Sequence, residues 1–174
     1  MGKIDDAPVG PPERLTAAHQ LEEFRSNELE LDEWLRRRAL ENEATGASRT
    51  YVVCVGPRVV GYYALATGGV DRSAAPGRVR RNMPDPVPVM VIGRLAVDAG
   101  FQRRGLGSAL LRDAVLRTLH AAEIAGIRAI LVHAISEDAK QFYVRSGFSV
   151  SPSEPMTLMI LVTEAAKALQ ERPR

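Results

Sequence analysis

Apolar positions in this chain follow two patterns: compact β-branched runs, and stripes that recur every three or four residues. Arg49–Val55 and Val59–Ala66 are runs of the first kind, joined by Gly56-Pro57-Arg58, and they predict a β-hairpin. Apolar residues continue almost unbroken through both, so the sheet should be covered on both faces there. Val89 to Val97 is a third run, interrupted by Gly93 and Arg94, and predicts a buried strand with a kink or bulge. Arg128–Ala134, Phe148–Val150 and Thr157–Val162 complete the strand set, with Pro152 and Pro155 in the last turn.

The helical stripes fall between these runs. Leu106, Leu110, Leu111, Ala114, Val115, Thr118 and Leu119 lie on one face of a helix expected from Gly105 to Ala125, with Gly126 as its C′ residue. Strand, helix and strand in succession predict a right-handed crossover and a parallel pair. Ser136 should cap a short helix that runs to about Ser146 and closes at Gly147. Two helical segments fit between Leu15 and Ala44, broken near Ser26-Asn27. The first covers Ala17–Phe24. The second carries Leu31, Trp34, Leu35 and Ala39 on one face, with Asp32 and Glu33 early and Arg36-Arg37-Arg38 late, as the helix dipole favours. Residues 67–88, rich in Gly, Pro and Arg, read as a long connection that is functional or mobile. The expected layout is a disordered lead-in over 1–12, one domain over 13–164 and a helical tail over 165–174, in an α/β (α+β) class.

Composition narrows the function classes. With 45% hydrophobic and 25% charged residues, the 174-residue chain has the makeup of a soluble globular protein. No apolar run approaches the roughly 20 residues of a membrane span, and MGKIDDAPVGPPERL lacks a signal-peptide core. Cys54 is the single cysteine, which excludes an internal disulfide and suits a reducing cytoplasm. One cysteine and three scattered histidines argue against a metal site. Net charge is only +2, but 20 of the 23 basic residues are arginine, the better phosphate reader. An arginine-biased genome produces the same ratio, so composition alone does not establish a nucleic-acid partner.

The chemistry concentrates where the Val89–Val97 run meets the long helix. Strand, glycine-containing turn and helix N-terminus make an anion site, because unpaired N–H groups and the helix dipole converge there. A P-loop would need Gly-Lys-Ser/Thr, which is missing, and a dinucleotide fingerprint would need glycine where Leu110 stands. What remains is Gln102-Arg103-Arg104-Gly105-Leu106-Gly107, of the form Q/R-x-x-G-x-G/A. It resembles the pyrophosphate-binding turn of the GNAT superfamily of acyl-CoA-dependent N-acetyltransferases. A second stretch, from Ser136 through Ala139, Phe142 and Tyr143 to Gly147-Phe148, is similar to the late GNAT segment N-x-x-A-x-x-F-Y-x-x-x-G-F. Ser136 departs from the usual Asn, so the cofactor contact commonly assigned to that Asn is not carried over to this chain.

The resemblance narrows further through LDEWLRRRALENEATGASRTYVV, RVVGYYALATGGV, RRNMPDPVPVMVIGRLAVD, RAILVHA and SPSEPMTL. From about Leu15 to Leu161 these are similar to the GNAT toxins of toxin–antitoxin modules, which acetylate the amino group of aminoacyl-tRNA. Asn27 stands where that subgroup usually has glycine, a mild change because Asn tolerates a left-handed backbone. The resemblance implies a GNAT fold, a single mixed β-sheet with a central parallel strand pair and helices on both faces.

It also implies roles for residues. Main-chain N–H groups of Arg103, Arg104, Gly105, Leu106, Gly107 and Ser108 would hold the diphosphate of acetyl-CoA. The strand edge at Leu95, Ala96 and Val97 would pair with the pantetheine arm and orient the acetyl carbonyl. Tyr143 would protonate the departing thiolate, as a phenol with a reference pKa near ~10 can. Without the resemblance, Gly105 and Gly107 read equally well as a tight turn, and Tyr143 as a packing residue. No general base stands out. That favours an aminoacyl ester, whose α-amine ionises below ~8, over a protein lysine near ~10. His133 reads either as a base or as a core histidine. Arg78, Arg80 and Arg81 offer a tRNA phosphate patch, or else simply a basic loop. The implied partners are aminoacyl-tRNA, a ribbon-helix-helix antitoxin and, through the antitoxin only, operator DNA. A second copy of the chain is a candidate partner, and a membrane is not. Two rival functions stay open here: a GNAT acting on a small-molecule or peptide amine, and a non-catalytic acyl-CoA-binding regulatory module.

Overall fold

The chain alternates strands and helices in an order that places its longest helix between two parallel strands. The computed structural model describes residues 8–171. Its strands are β1 (Glu13–Arg14), β2 (Arg49–Val55), β3 (Arg58–Val70), β4 (Val87–Val97), β5 (Ala129–His133), β6 (Ser149–Val150) and β7 (Thr157–Leu161). Its helices are α1 (Leu29–Arg37), α2 (Ala39–Thr45), α3 (Gly77–Arg80), α4 (Leu106–Ile124), α5 (Glu137–Arg145) and α6 (Val162–Glu171). The sheet order is β1-β2-β3-β4-β5-β7-β6, with β4 and β5 parallel from Val89↔Ala129 to Ile92↔Val132. The mixed sheet and its parallel pair match the class expected from the sequence. The chain divides into two compact units, 1–66 with 94–113 and 67–93 with 114–174.

In the first unit, β2 and β3 form the hairpin expected from Gly56-Pro57-Arg58, with a bulge at Val53/Cys54. Phe24, Leu35, Val52, Val59 and Tyr62 are fully buried in its core. Gly61 on β3 lets α4 approach: a Cβ there would lie 2.9 Å from Val53 Cγ2 and 3.2 Å from Leu110 Cδ1. The entry to α1 is held by one buried carboxylate. Asp32 accepts the Ser26 N–H at 3.0 Å and the Ser26 hydroxyl at 2.5 Å. Asn27, just beyond, takes φ 75°, the left-handed conformation that its type permits.

In the second unit, β5 pairs antiparallel with β7, and β7 with β6. Val79, Val87, Val89, Ala129, Leu131 and Met159 form its core. Arg128 ties α3 down by donating to the carbonyls of Arg78 at 3.0 Å and Val79 at 3.1 Å.

Several local expectations are corrected. Ala17–Phe24 is not a helix: Gln20 pairs with the hairpin instead, its N–H donating to Pro57 O at 2.8 Å and its O accepting from Val59 N at 3.0 Å. A helical backbone would have used both groups internally. The second segment is two helices, because Arg38 adopts φ −120° between α1 and α2. The strand expected to end at Ala66 runs to Val70, and residues 72–74 and 77–80 are short helical turns. The 67–88 connection is therefore largely ordered by its own backbone. Gly126 does not take a left-handed conformation, and α4 ends at Ile124. The tail is helix α6, with Ala165 buried. Residues 1–7 of the expected lead-in lie outside the described residues, while Gly10 N donates to Cys54 O at 2.9 Å.

Removing the Asp32 carboxylate leaves the buried Ser26 N–H without an acceptor and its hydroxyl with only the longer contact to Glu28 O at 3.3 Å. Asp32→Ala is expected to lower unfolding free energy by about 2–4 kcal/mol in urea titration.

Candidate active site

The turn between β4 and α4 is braced by side chains that bind several of its backbone groups. Asp98, buried at the end of β4, accepts the N–H of Gly100 at 2.9 Å and of Arg25 at 3.0 Å. Its own N–H donates to Val60 O on β3 at 2.9 Å. Gln102 bridges the turn, its Nε2 donating to Val97 O and to Ser26 O, both at 3.0 Å. Phe101 is buried beneath, with the Arg104 guanidinium 5.1 Å from its ring centre. Thus anchored, the chain passes through two left-handed residues, Arg103 at φ 65° and Gly105 at φ 81°. Glycine is the residue that takes such a conformation without a Cβ penalty.

The helix begins at Leu106, and the first internal bond runs from Ala109 N to Gly105 O at 3.0 Å. The N–H groups of Leu106, Gly107 and Ser108 have no carbonyl one turn earlier to accept them. The first turn of α4 carries no acidic residue, and Arg103, Arg104, Gly105 and Ser108 are exposed. Convergent donors, positive dipole and no competing carboxylate suit a diphosphate. Leu95, Ala96 and Val97 lead into this turn along β4, so the structure joins the two expected cofactor segments within the first unit.

Tyr143 belongs to the second unit, and the second signature explains how it is held. Ser136 caps α5 by accepting the Ala139 N–H at 3.1 Å. At the other end Gly147, at φ 101°, donates to Val144 O at 3.1 Å, and Phe148 N donates to Tyr143 O at 3.0 Å. This 6→1 and 5→2 pair is the Schellman arrangement, and its usual hydrophobic contact is present as Phe148 against Tyr143, 5.4 Å between ring centres. Phe142 meets Tyr143 edge-on at 5.2 Å. The ring is buried, and burial pushes the phenol pKa up to about 12. Its hydroxyl makes no hydrogen bond among the described residues. A fixed, fully protonated phenol with an unspent donor is what a general acid requires.

Other candidates separate. Arg78, Arg80 and Arg81 are exposed on and after α3. Arg78 is ion-paired to Glu164, and Arg80 donates to Ala75 O at 3.5 Å, so among the described residues Arg81 is the one of the three whose side chain has no such partner. His133 is not a core histidine: it is exposed, with Nδ1 2.9 Å from Thr157 Oγ1. Glu13, His19 and Cys54 bring their ligand atoms within 4.8 Å of one another, a grouping their spacing in the sequence did not reveal. There the Thr16 N–H donates to His19 Nδ1 at 2.9 Å, leaving the proton on Nε2, which lies 2.7 Å from Glu13 Oε1. A cation on Nε2 would have to displace that proton. Burial raises the Cys54 thiol to about 11, further from the thiolate that a metal needs. Asp98 was missed as a structural anchor because an acid after a strand carries no pattern of its own.

The chain is similar to known proteins along most of its length. The model of the acetyltransferase (GNAT) family matches residues 15–148. The tRNA-acetylating toxin of Mycobacterium tuberculosis is 54% identical over 154 residues, spanning 88% of this chain and 93% of that protein. The structure of AtaT complexed with acetyl-methionyl-tRNAfMet superposes with a TM-score of 0.85 at 26% identity, covering 94% of this chain and 99% of that one. A mutant AtaT toxin bound to the C-terminus of the antitoxin AtaR and to acetyl-CoA gives 0.80 at 25%, with 94% and 99% covered. The family match over most of its length, with a relative 54% identical along 88% of it, means that the chain belongs to the acetyltransferase (GNAT) family.

Proposed function

We propose that this protein is the toxin of a toxin–antitoxin module, transferring acetyl from acetyl-CoA to the α-amino group of aminoacyl-tRNA and so blocking translation. The observation that carries the reading is the 54% identity to a tRNA-acetylating toxin along 88% of the chain. Residues 13–164 act as one acetyltransferase domain. Acetyl-CoA supplies an activated acyl group: the amine nitrogen bonds to the carbonyl carbon as the carbon–sulfur bond breaks. The N–H groups of Arg103 to Ser108 hold the diphosphate, and Leu95, Ala96 and Val97 align the pantetheine arm. Tyr143 gives its phenolic proton to the departing thiolate, and the ammonium loses a proton to water. An esterified α-amine is already partly neutral at pH 7, so no side-chain base is needed.

Arg81, with Arg78 and Arg80 beside it, contributes to tRNA phosphate binding. The antitoxin partner is a small ribbon-helix-helix protein, and operator DNA is met only through it. Charged tRNA places the reaction in the cytoplasm. No helix of the described residues is long and apolar enough to cross a membrane.

Incubation with acetyl-CoA and charged tRNA, followed by mass spectrometry of the released amino acid, is expected to yield the N-acetyl product. Its absence, with a peptide or small amine acetylated instead, would transfer the assignment to that acceptor class. Tyr143→Phe is expected to cut turnover at least about a hundredfold while leaving acetyl-CoA affinity in place. Because the phenol titrates near 12, the wild-type rate should rise with pH as the acceptor amine loses its proton. It should show no descending limb from Tyr143 in the neutral range, and the variant should lower the plateau without moving the rise. Gly105→Val, at a left-handed position, is expected to weaken acetyl-CoA binding by about tenfold or more in calorimetry. Unchanged affinity there would remove the turn as the diphosphate site.

A further inference from the structure

Arg94 follows Gly93 on β4, and its guanidinium carbon lies 4.4 Å from the centre of the Trp34 ring. Trp34 stacks on Tyr62, with 6.0 Å between ring centres and 10° between planes. Tyr62 is itself fully buried, its hydroxyl donating to Leu31 O at 2.7 Å. A guanidinium laid over such a stack is fixed in orientation and partly stripped of water. Among the described residues no carboxylate or carbonyl is paired with it. Burial is the main cause that raises the Tyr62 pKa; Arg94 opposes it, and Asp32 and Glu30 add to it, so both acids act on that hydroxyl. Yet Asp32 is committed to Ser26. Arg94 therefore holds a rigid fork of unspent donors, and the glycine beside it leaves room, since a Cβ at Gly93 would meet nothing within 4 Å.

Position along β4 decides which anion belongs there. At roughly 3.3 Å rise per residue, Arg94 precedes Val97 by about 10 Å. It sits on the far side of Leu95–Val97 from the turn that takes the diphosphate. A pantetheine arm running from that turn along Leu95–Val97 points its thioester toward Arg94, so the anion comes with the acceptor and not with CoA. A tRNA acceptor end brings phosphodiesters within a nucleotide or two of the esterified amino acid. An amine on a protein side chain brings none.

We propose that Arg94, braced on Trp34, binds a phosphodiester of the 3′-terminal nucleotides of the acceptor and so positions the amine for attack. This rests on the reading of aminoacyl-tRNA as substrate. Arg94 is a substrate-positioning residue, and the planar, stacked fork selects it over lysine.

The test compares wild type, Arg94→Ala and Arg94→Lys on three acceptors with one amino acid: charged tRNA, an aminoacyl-CCA trinucleotide, and aminoacyl-adenosine, which lacks a phosphodiester. Acetyl-CoA calorimetry checks that each variant is folded. Arg94→Ala is expected to lose about 10- to 100-fold in kcat/KM on the first two, in the range of a charge-assisted contact. The penalty should be several-fold smaller on aminoacyl-adenosine, with Arg94→Lys between wild type and Ala. The slope of log kcat/KM against log salt should flatten by about 0.7 for the lost phosphate contact. An equal penalty on all three acceptors, or none on charged tRNA, overturns the phosphate role and leaves acetyl transfer to aminoacyl-tRNA standing. A wild-type protein that acetylates no charged tRNA overturns that reading and this one with it.

Discussion

The unfilled N–H groups at the start of α4 are the constraint on which the rest of the molecule depends. A helix N-terminus normally finds a side-chain cap or water, and here the residue ahead of Leu106 is Gly105, which has no side-chain oxygen to offer. The surrounding groups are arranged so that nothing else intrudes. Asp98 and Gln102 consume the loop's own backbone groups, and Phe101 seats the turn on the core.

The same logic, a polar tip left free by a body tightly held, recurs twice. Tyr143 is clamped by aromatic neighbours and a Schellman turn, so its ring is immobile while its hydroxyl has no partner among the described residues. Arg94 is clamped by stacking on Trp34 and keeps its donors unspent. Packing supplies the orientation in each case, which spares the site the entropy of ordering a long side chain when substrate arrives. Asp32 is the opposite case, with both of its roles spent inside the fold.

Much of the fold was legible in the chain. The hairpin at Gly56, the parallel pair flanking α4, and the Ser136 cap with its Gly147 stop all follow from period, β-branching and capping chemistry, and all formed. The misses have a common cause. Ala17–Phe24 has helical composition, but Gln20 is claimed by a strand edge distant in sequence. The 67–88 segment looks like loose connection, yet β3 continues through Gly68 and Gly69, where an added Cβ would press on Val91 and Pro86. Local propensity is overruled where a remote backbone offers pairing, and no local pattern records that offer.

The sequence by itself determined the turn, the phenol and the order in which they occur, because glycine at 105 and 107 and the Phe-Tyr…Gly-Phe stretch are backbone and packing requirements written in local residue types. The tertiary structure alone decided which charged groups remain free. Arg78 looked available and is paired with Glu164, His133 leans on Thr157, and Arg94 looked like an interruption in a strand and keeps its fork open over Trp34. Whether a side chain is spent depends on what chain folding brings beside it from elsewhere, and one-dimensional spacing does not carry that information.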